Sequence, residues 1–333
     1  MAYRIDPGER TDLELRRVVA EQLVRAAAEL RAAGGPNAED IHDVRKRLKK
    51  ARSAVRLGRA DLGPAVARHA NRELQRVGAD LAQQRDADAL VEAVDQLIAA
   101  AGQEPGPTAE ALAVARRSMA ERADIVRLDG ALSRAMVIGA ARTLEQTVSW
   151  LDLVPAQVTG WKALAPGFAR EYGRGRKVWQ KLPPEPTVEQ LHEWRKRVKD
   201  LWYHQRLLRR LWTEGQRPVV EAAGELALNL GADRDLGLLL ANLAPVGNAP
   251  VPELRTGVGP IGLPLVDTEI GSMVSDAARS LRSALQARAR QLGSRLYADD
   301  PAAWAARHGA WWDATPSPRE EIRSDPSPVG TNA

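Results

Sequence analysis

The chain has 333 residues, 44% of them hydrophobic, with 48 Lys and Arg against 43 Asp and Glu, a net charge of +5 and no cysteine. That apolar content is enough to bury a core, while the lack of cysteine excludes a disulfide frame, a thiolate metal site and a thiol nucleophile. The apolar runs fall well short of the ~20 residues that cross a bilayer, and the opening MAYRIDPGER lacks the order of a signal peptide, so a soluble cytoplasmic protein is expected. The isoelectric point is about 9.7 and the positive residues are clustered, which points to a polyanionic partner. Aromatic residues are few apart from nine tryptophans, so extensive stacking on nucleic-acid bases is not advertised.

Nearly every periodic stretch has helical spacing and is rich in Ala, Leu, Arg, Glu and Gln, which predicts an all-α fold. A first helix runs from Thr11 or Asp12 to Ala33, stopped by Gly34, Gly35 and Pro36. A highly charged helix spans Ala38 to Gly58. Further helices are expected from Pro64 to Ala101, Thr108 to Leu128 and Asp129 to Leu153, with Pro155 and Gly160 marking the middle. The second half repeats the order: Pro166 to Leu182, a Pro-rich turn, a second charged helix Val188 to Thr213, and a helix from Pro218 to Leu243. Residues 244–267 read as a long loop, followed by a helix from Gly271 to Leu296 and a Trp-bearing segment from Ala302 to Trp312. The expected division is a first half 1–155, a second half 156–312 and a polar, Pro- and Ser-rich disordered tail 313–333.

The two charged helices are copies. HDVRKRLKKARSAVRL, starting at His42, returns 150 positions later as HEWRKRVKDLWYHQRL, starting at His192. Identical pairs are His42/His192, Arg45/Arg195, Lys46/Lys196, Arg47/Arg197, Lys49/Lys199, Arg56/Arg206 and Leu57/Leu207. Such a repeat means one structural unit used twice about an approximate twofold. A second anchor is the Arg-Asp step, Arg85–Asp86 answered by Arg234–Asp235 one residue out of register.

On a wheel of about 100° per residue, Ile41, Val44, Leu48, Ala51 and Val55 form a narrow apolar stripe, and Leu191, Trp194, Val198 and Leu201 form its counterpart. Another side carries His42, Arg45, Lys46, Lys49, Arg52 and Arg56 in the first copy, and His192, Arg195, Lys196, Lys199, Tyr203 and Arg206 in the second. Arg47 and Lys50 point elsewhere. Like charges one turn apart destabilise a helix by ~0.2–0.5 kcal/mol per pair, so the four pairs Arg45/Lys49, Lys46/Lys49, Lys49/Arg52 and Arg52/Arg56 together cost on the order of 1–2 kcal/mol. A surface kept twice at that cost has a use. Asp43, Glu193 and Asp200 lie mainly off the stripes.

The pattern His-x-x-Arg-(Lys/Arg)-x-x-Lys with a later Arg, duplicated and each time followed by an Arg-Asp pair, resembles the CHAD family, named for conserved histidines in an α-helical domain. YRIDPGER near the start and FAREYGRGRKVW in the centre are also similar to that family, so the resemblance covers about residues 3 to 297. It implies two four-helix bundles joined about a pseudo-twofold, a basic central cavity that binds inorganic polyphosphate, and association with polyphosphate granules in the cytoplasm. The residues themselves suit that ligand. Polyphosphate carries dense negative charge with no base, sugar or apolar handle. Arg chelates adjacent phosphoryl oxygens in bidentate fashion, and Lys acts as a mobile point charge. The histidines would donate a hydrogen bond when neutral and add charge below about pH 6.5.

Arg85 and Arg234 are read as reaching the cavity with Asp as orienter, or equally as a structural ion pair at the end of a helix. Arg116, Arg117, Arg142, Arg170, Arg174, Arg176 and Lys177 could add basic lining, though a solvated face is the default for each. Tyr203 could donate to phosphate or simply pack. His69, His204 and His308 have no counterpart in the other copy and are read as surface or packing residues. Trp194, Trp202 and Trp212 are read as packing, and Trp304, Trp311 and Trp312 as pinning the last segment to the bundle.

No catalytic role is expected. The Glu-x-Glu-x-Lys signature of the triphosphatase domain that often accompanies the family is absent, as are a phosphate loop, His-Glu-x-x-His and Gly-x-Ser-x-Gly. Histidines among cations make a poor metal site. The alternatives are a metal-dependent phosphohydrolase and a nucleic-acid-binding helical protein, the latter without any helix-turn-helix, zinc-finger or RNA-binding signature. A scaffold that recruits granule proteins through the Pro/Gly loop or the tail is compatible with polyphosphate binding.

Overall fold

The computed structural model describes residues 3–32, 35–81, 85–102, 105–129, 133–243 and 268–315. Among them there are helices and connecting turns and no strand, so the fold is all-α as the periodicity predicts. The first half contains α1 (Thr11–Leu30), α2 (Ala38–Leu57), α3 (Arg59–Leu62), α4 (Pro64–Asp80), α5 (Arg85–Ala101), α6 (Pro107–Asp129) and α7 (Arg134–Asp152). The second contains α8 (Trp161–Gln180), α9 (Val188–Leu207), α10 (Thr213–Leu243), α11 (Thr268–Leu296) and α12 (Pro301–Ala314).

The charged helices α2 and α9 are started by the same device. The Asn37 side chain accepts from the Asp40 backbone N–H while Asp40 accepts from that of Asn37, both at 2.9 Å. Thr187 and Gln190, each 150 positions on, make the same reciprocal pair at 3.3 and 2.8 Å. A capping box satisfies two of the first-turn N–H groups and fixes where the helix begins. It therefore sets both basic stripes to the same phase. The apolar stripes are buried as predicted: Ile41, Val44, Leu48, Ala51 and Val55 are at most 6% exposed, and Leu191, Trp194, Val198 and Leu201 at most 4%.

These stripes enter one core that draws on both halves: α1, α2, α4 and α7 from the first, α8, α9 and α12 with parts of α10 and α11 from the second. The boundary near 155 divides the sequence but not this core. A second core lies apart, where α5 and α6 pack against the far ends of α10 and α11 through Leu90, Val94, Leu97, Leu112, Leu236, Leu239 and Val274. A helical hairpin from the first half thus completes a four-helix cluster with a hairpin from the second.

At the centre α2 and α9 pack on each other. His204 Nε2 lies 3.0 Å from the Ser53 carbonyl, and Arg56 pairs with Asp200. The segment before α1 straps both helices, because the Ile5 N–H donates to the Leu207 carbonyl at 2.8 Å and the Tyr3 hydroxyl to the Lys50 carbonyl at 3.0 Å. α8 backs the end of α2 so closely that a Cβ on Gly167 would collide with the Leu57 carbonyl and lie 2.7 Å from that of Arg56. Only glycine fits there.

Several sequence-based boundaries move. The single helix expected from Pro64 to Ala101 is two, α4 and α5, whereas its counterpart α10 runs unbroken for 31 residues. α9 stops at Leu207 and not at Thr213, where α10 begins. Pro166 and Pro218 lie inside α8 and α10, five residues past their starts. In α8 that extra turn is held by Trp161, which packs edge-on to Phe168 and against Trp312. α12 extends through Asp313 and Ala314, so the first residues assigned to the tail are helical; 316–333, like the loop 244–267, lie outside the described residues.

Candidate anion-binding site

The first basic stripe lies along α4. Asn71, Gln75 and Gly78 share one face of that helix and receive the α2 side chains in antiparallel order. Arg45 Nη1 donates to the Gly78 carbonyl at 2.7 Å. Arg52 donates to the side-chain oxygens of Gln75 at 3.2 Å and Asn71 at 3.1 Å, and Arg56 Nη1 to that of Asn71 at 2.8 Å. Neutral acceptors orient a guanidinium without cancelling its charge, but Arg56 also pairs with the Asp200 carboxylate across the crossing. The second stripe lies close against α10, where a Cβ on Gly231 would lie 3.4 Å from Nε and Nη2 of Arg195. The glycine lets that side chain lie flat on the helix.

Lys49, Lys199 and His192 are half-buried beside these residues, and His42 is exposed at the outer end of α2. Lys46 is exposed and paired with Asp43 at 3.4 Å, and Lys196 is paired with Glu193. These carboxylates, placed off the stripes by the wheel, reach back over one turn to the lysines. Arg206 lies over the rings of Trp202, at 4.9 Å, and Tyr3, at 5.8 Å. Arg234 sits inside α10 and not at a helix end, half-buried and paired with Asp235 at 2.9 Å. Arg85 opens α5, and its side chain lies outside the described residues.

Tyr203 is placed differently from the sequence reading. It is 2% exposed, stacked on Trp202 and edge-on to Tyr3, and burial pushes its hydroxyl up to about 12. It belongs to the packed crossing of α2 and α9, because a tyrosine at position 203 faces the partner helix and its strap. Arg170 and Arg174, offered as lining, converge on the fully buried Glu171 side chain at 3.4 and 3.1 Å, and Arg116 pairs with Asp95 at 2.5 Å between α6 and α5. Trp194 is buried against Trp179, and Trp304 is stacked on Tyr172, holding α12 to α8. His204 and His308 are buried, with 1% exposure each, whereas His69 is exposed against Trp150.

The local potential is positive on both helices. Arg52 is held down to about 10 by burial and then by Arg56, against an opposing pull from Asp200. Lys50 is pushed down to about 8 by burial, Arg206, Lys46 and Arg47. His192 falls to about 4 through burial, Lys196, Arg234 and Arg195, and its Nδ1 is shielded without a hydrogen-bond partner. His192 is therefore neutral well below pH 6.5, a correction to the expectation that it gains charge there. Burial is the first cause in each case, and the cations beside Arg52 and His192 add a repulsion that an anion on the stripes would relieve.

Asn71, Gln75, Gly231 and the strap residue Tyr3 were not singled out from the sequence, and Asp200, expected off the stripes of its own helix, reaches the stripe residue Arg56 of the other. Asn71, Gln75 and Gly78 do recur at helical spacing in α4, which was the one available signal. Among the described residues no helix is long and apolar enough to cross a membrane, and no group of three or more His, Cys, Asp or Glu is placed to hold a metal ion.

With this geometry, comparison with known proteins is informative. The CHAD domain model matches residues 12–244, more than half of the chain, and this protein belongs to the CHAD family. Among solved structures it is similar to PptA from Streptomyces chartreusis, with a TM-score of 0.57 and 16% identity over 85% of this chain and 99% of that one. At that identity the likeness speaks for the fold. No curated protein matches the chain significantly.

Proposed function

We propose that this protein binds inorganic polyphosphate along the basic faces of α2 and α9, and that this binding associates it with polyphosphate granules in the cytoplasm. The reading assigns it no catalytic role and no cofactor. The binding residues are His42, Arg45, Lys46, Lys49, Arg52 and Arg56 on α2, His192, Arg195, Lys196, Lys199 and Arg206 on α9, with Arg85 and Arg234 beside them. Tyr203 supports the crossing from within. The observation that carries the reading is the repeated row of cations, its α2 arginines held by amide and carbonyl oxygens of α4, in which burial and like-charged neighbours push Arg52 and His192 toward their neutral forms. A flexible chain with about one charge per phosphate would relieve that repulsion at several points at once.

The test is a titration of long-chain polyphosphate against the wild type and a variant with Arg45, Lys49, Arg195 and Lys199 changed to Gln. Loss of binding by the folded variant is expected, together with a steep decline of wild-type affinity as salt rises, since a polyanion releases counterions on binding. Unchanged binding by the folded variant, affinity indifferent to salt, or displacement of polyphosphate by duplex DNA at equal phosphate concentration would each reject the reading.

A further inference from the structure

We propose that the anion track does not end with α2 but turns over the α2–α3 corner onto an outer basic patch formed by Arg59, Arg68 and Arg170, which takes the part of a linear phosphate chain that overhangs the paired helices. The proposal rests on the polyphosphate reading of α2 and α9 and extends it to a chain-length-selective subsite.

The rungs between α2 and α4 give the direction. Moving toward the end of α2, Arg45 meets Gly78, Arg52 meets Gln75 and Asn71, and Arg56 meets Asn71. The next residues in each series are Arg59, the first residue of α3, and Arg68, which precedes Asn71 by one turn on the same face of α4. α3 packs on both α4 and α8, and α8 adds Arg170 one turn beyond the Gly167 contact. Three helices thus bring three guanidinium groups to one corner. Arg68 and Arg170 are exposed and Arg59 is half-buried. They feel one another: Arg59 is held below its ordinary value by burial and then by Arg170 and Arg68, with Glu171 opposing.

Neighbouring carboxylates cancel this charge only in part. Asp61 is fully buried and taken by Arg16 at 3.0 Å and the Gln157 N–H at 3.1 Å. Glu171 is shared by Arg170 at 3.4 Å, Arg174 at 3.1 Å and Arg197 at 3.9 Å.

The experiment compares tripolyphosphate, short enough to stay on the paired helices, with long-chain polyphosphate. The proteins are the wild type, an Arg59→Gln/Arg68→Gln/Arg170→Gln variant and an Arg59→Gln/Arg68→Gln variant that keeps the Arg170–Glu171 pair if the triple variant fails to fold. Tripolyphosphate affinity is expected to stay unchanged. Long-chain affinity should fall, and its dependence on log salt should become shallower by about 2 for three lost contacts or about 1.4 for two. Equal losses for both ligands, or no loss for either, would overturn the subsite. If the wild type binds neither ligand, the underlying polyphosphate reading fails as well, which separates the two failures.

Discussion

The two sides of the α2–α9 crossing are related by the repeat yet differ in charge. Positions 50 and 200 are equivalent, as are 56 and 206, so a symmetric crossing would pair Arg56 with position 200 and Arg206 with position 50 in the same manner. On one side Arg56 meets Asp200, which also lies 3.8 Å from Arg197, itself tied to Glu193 at 2.6 Å. On the other side Arg206 faces Lys50, and both rest on the Tyr3 ring, at 5.8 and 5.5 Å. Duplication kept the scaffold and let one position change sign. One side became an ion-paired joint, and the other keeps its surplus positive charge.

The largest expected effect would come from breaking the joint. Asp200→Ala leaves Arg56 and Arg197 half-buried without their shared carboxylate, and loss of one partner of a buried pair costs roughly 3–5 kcal/mol. Lys50→Met, at the equivalent position, removes a like-charge contact and keeps the packing on Tyr3, so a change within about 1 kcal/mol is expected. Urea unfolding of the two variants checks this, and equal destabilisation would erase the distinction between the sides.

The same side depends on the Gly167 approach. Gly167→Ala forces α8 away from the last carbonyls of α2 and should lower stability by about 1–3 kcal/mol, in line with other overpacked cores. Gly231→Ala, where α10 meets Arg195, belongs at the end of the scale for stability, because helix propensity favours Ala over Gly by up to about 1 kcal/mol. Its expected signature is weaker polyphosphate binding at unchanged or slightly raised thermal stability, read by titration beside calorimetry.

Between these falls the response to acid. His192, His204 and His308 all titrate below their ordinary value in the folded state, mainly through burial. Burial favours the neutral rings, so their contribution to stability is full above about pH 6.5 and is lost as the pH falls, toward 4 for His192 and His308. His192→Gln should flatten part of that decline. Bound polyphosphate offsets Lys196, Arg234 and Arg195, so the His192 midpoint should rise on binding, which imidazole NMR resonances would show.

What was legible in the sequence was what a single helix encodes. The 3.6-residue period fixed the buried stripes of α2 and α9, and the repeat showed that both copies present the same cations. Contacts between elements were not legible. Nothing local says that Asp200 reaches Arg56 across 144 positions or that Tyr203 is sealed under Tyr3. The Arg-Asp step reads as a helix end in the sequence; Arg85 does stand at the start of α5, but α10 carries the same residues in its interior. Pro166 and Pro218 invited helix starts at the usual first position, and the preceding turn extends α8 and α10 past that rule.

The exchange of hairpins between halves has a consequence for synthesis. While the nascent chain ends near the middle, the apolar faces of α5 and α6 have only each other, and the far ends of α10 and α11 that cover them are still to be translated. A fragment ending at 155 should therefore be digested by protease across α5 and α6 while α1, α2, α4 and α7 resist longer. Until the last long helix leaves the ribosome, this hairpin is the segment a chaperone would hold.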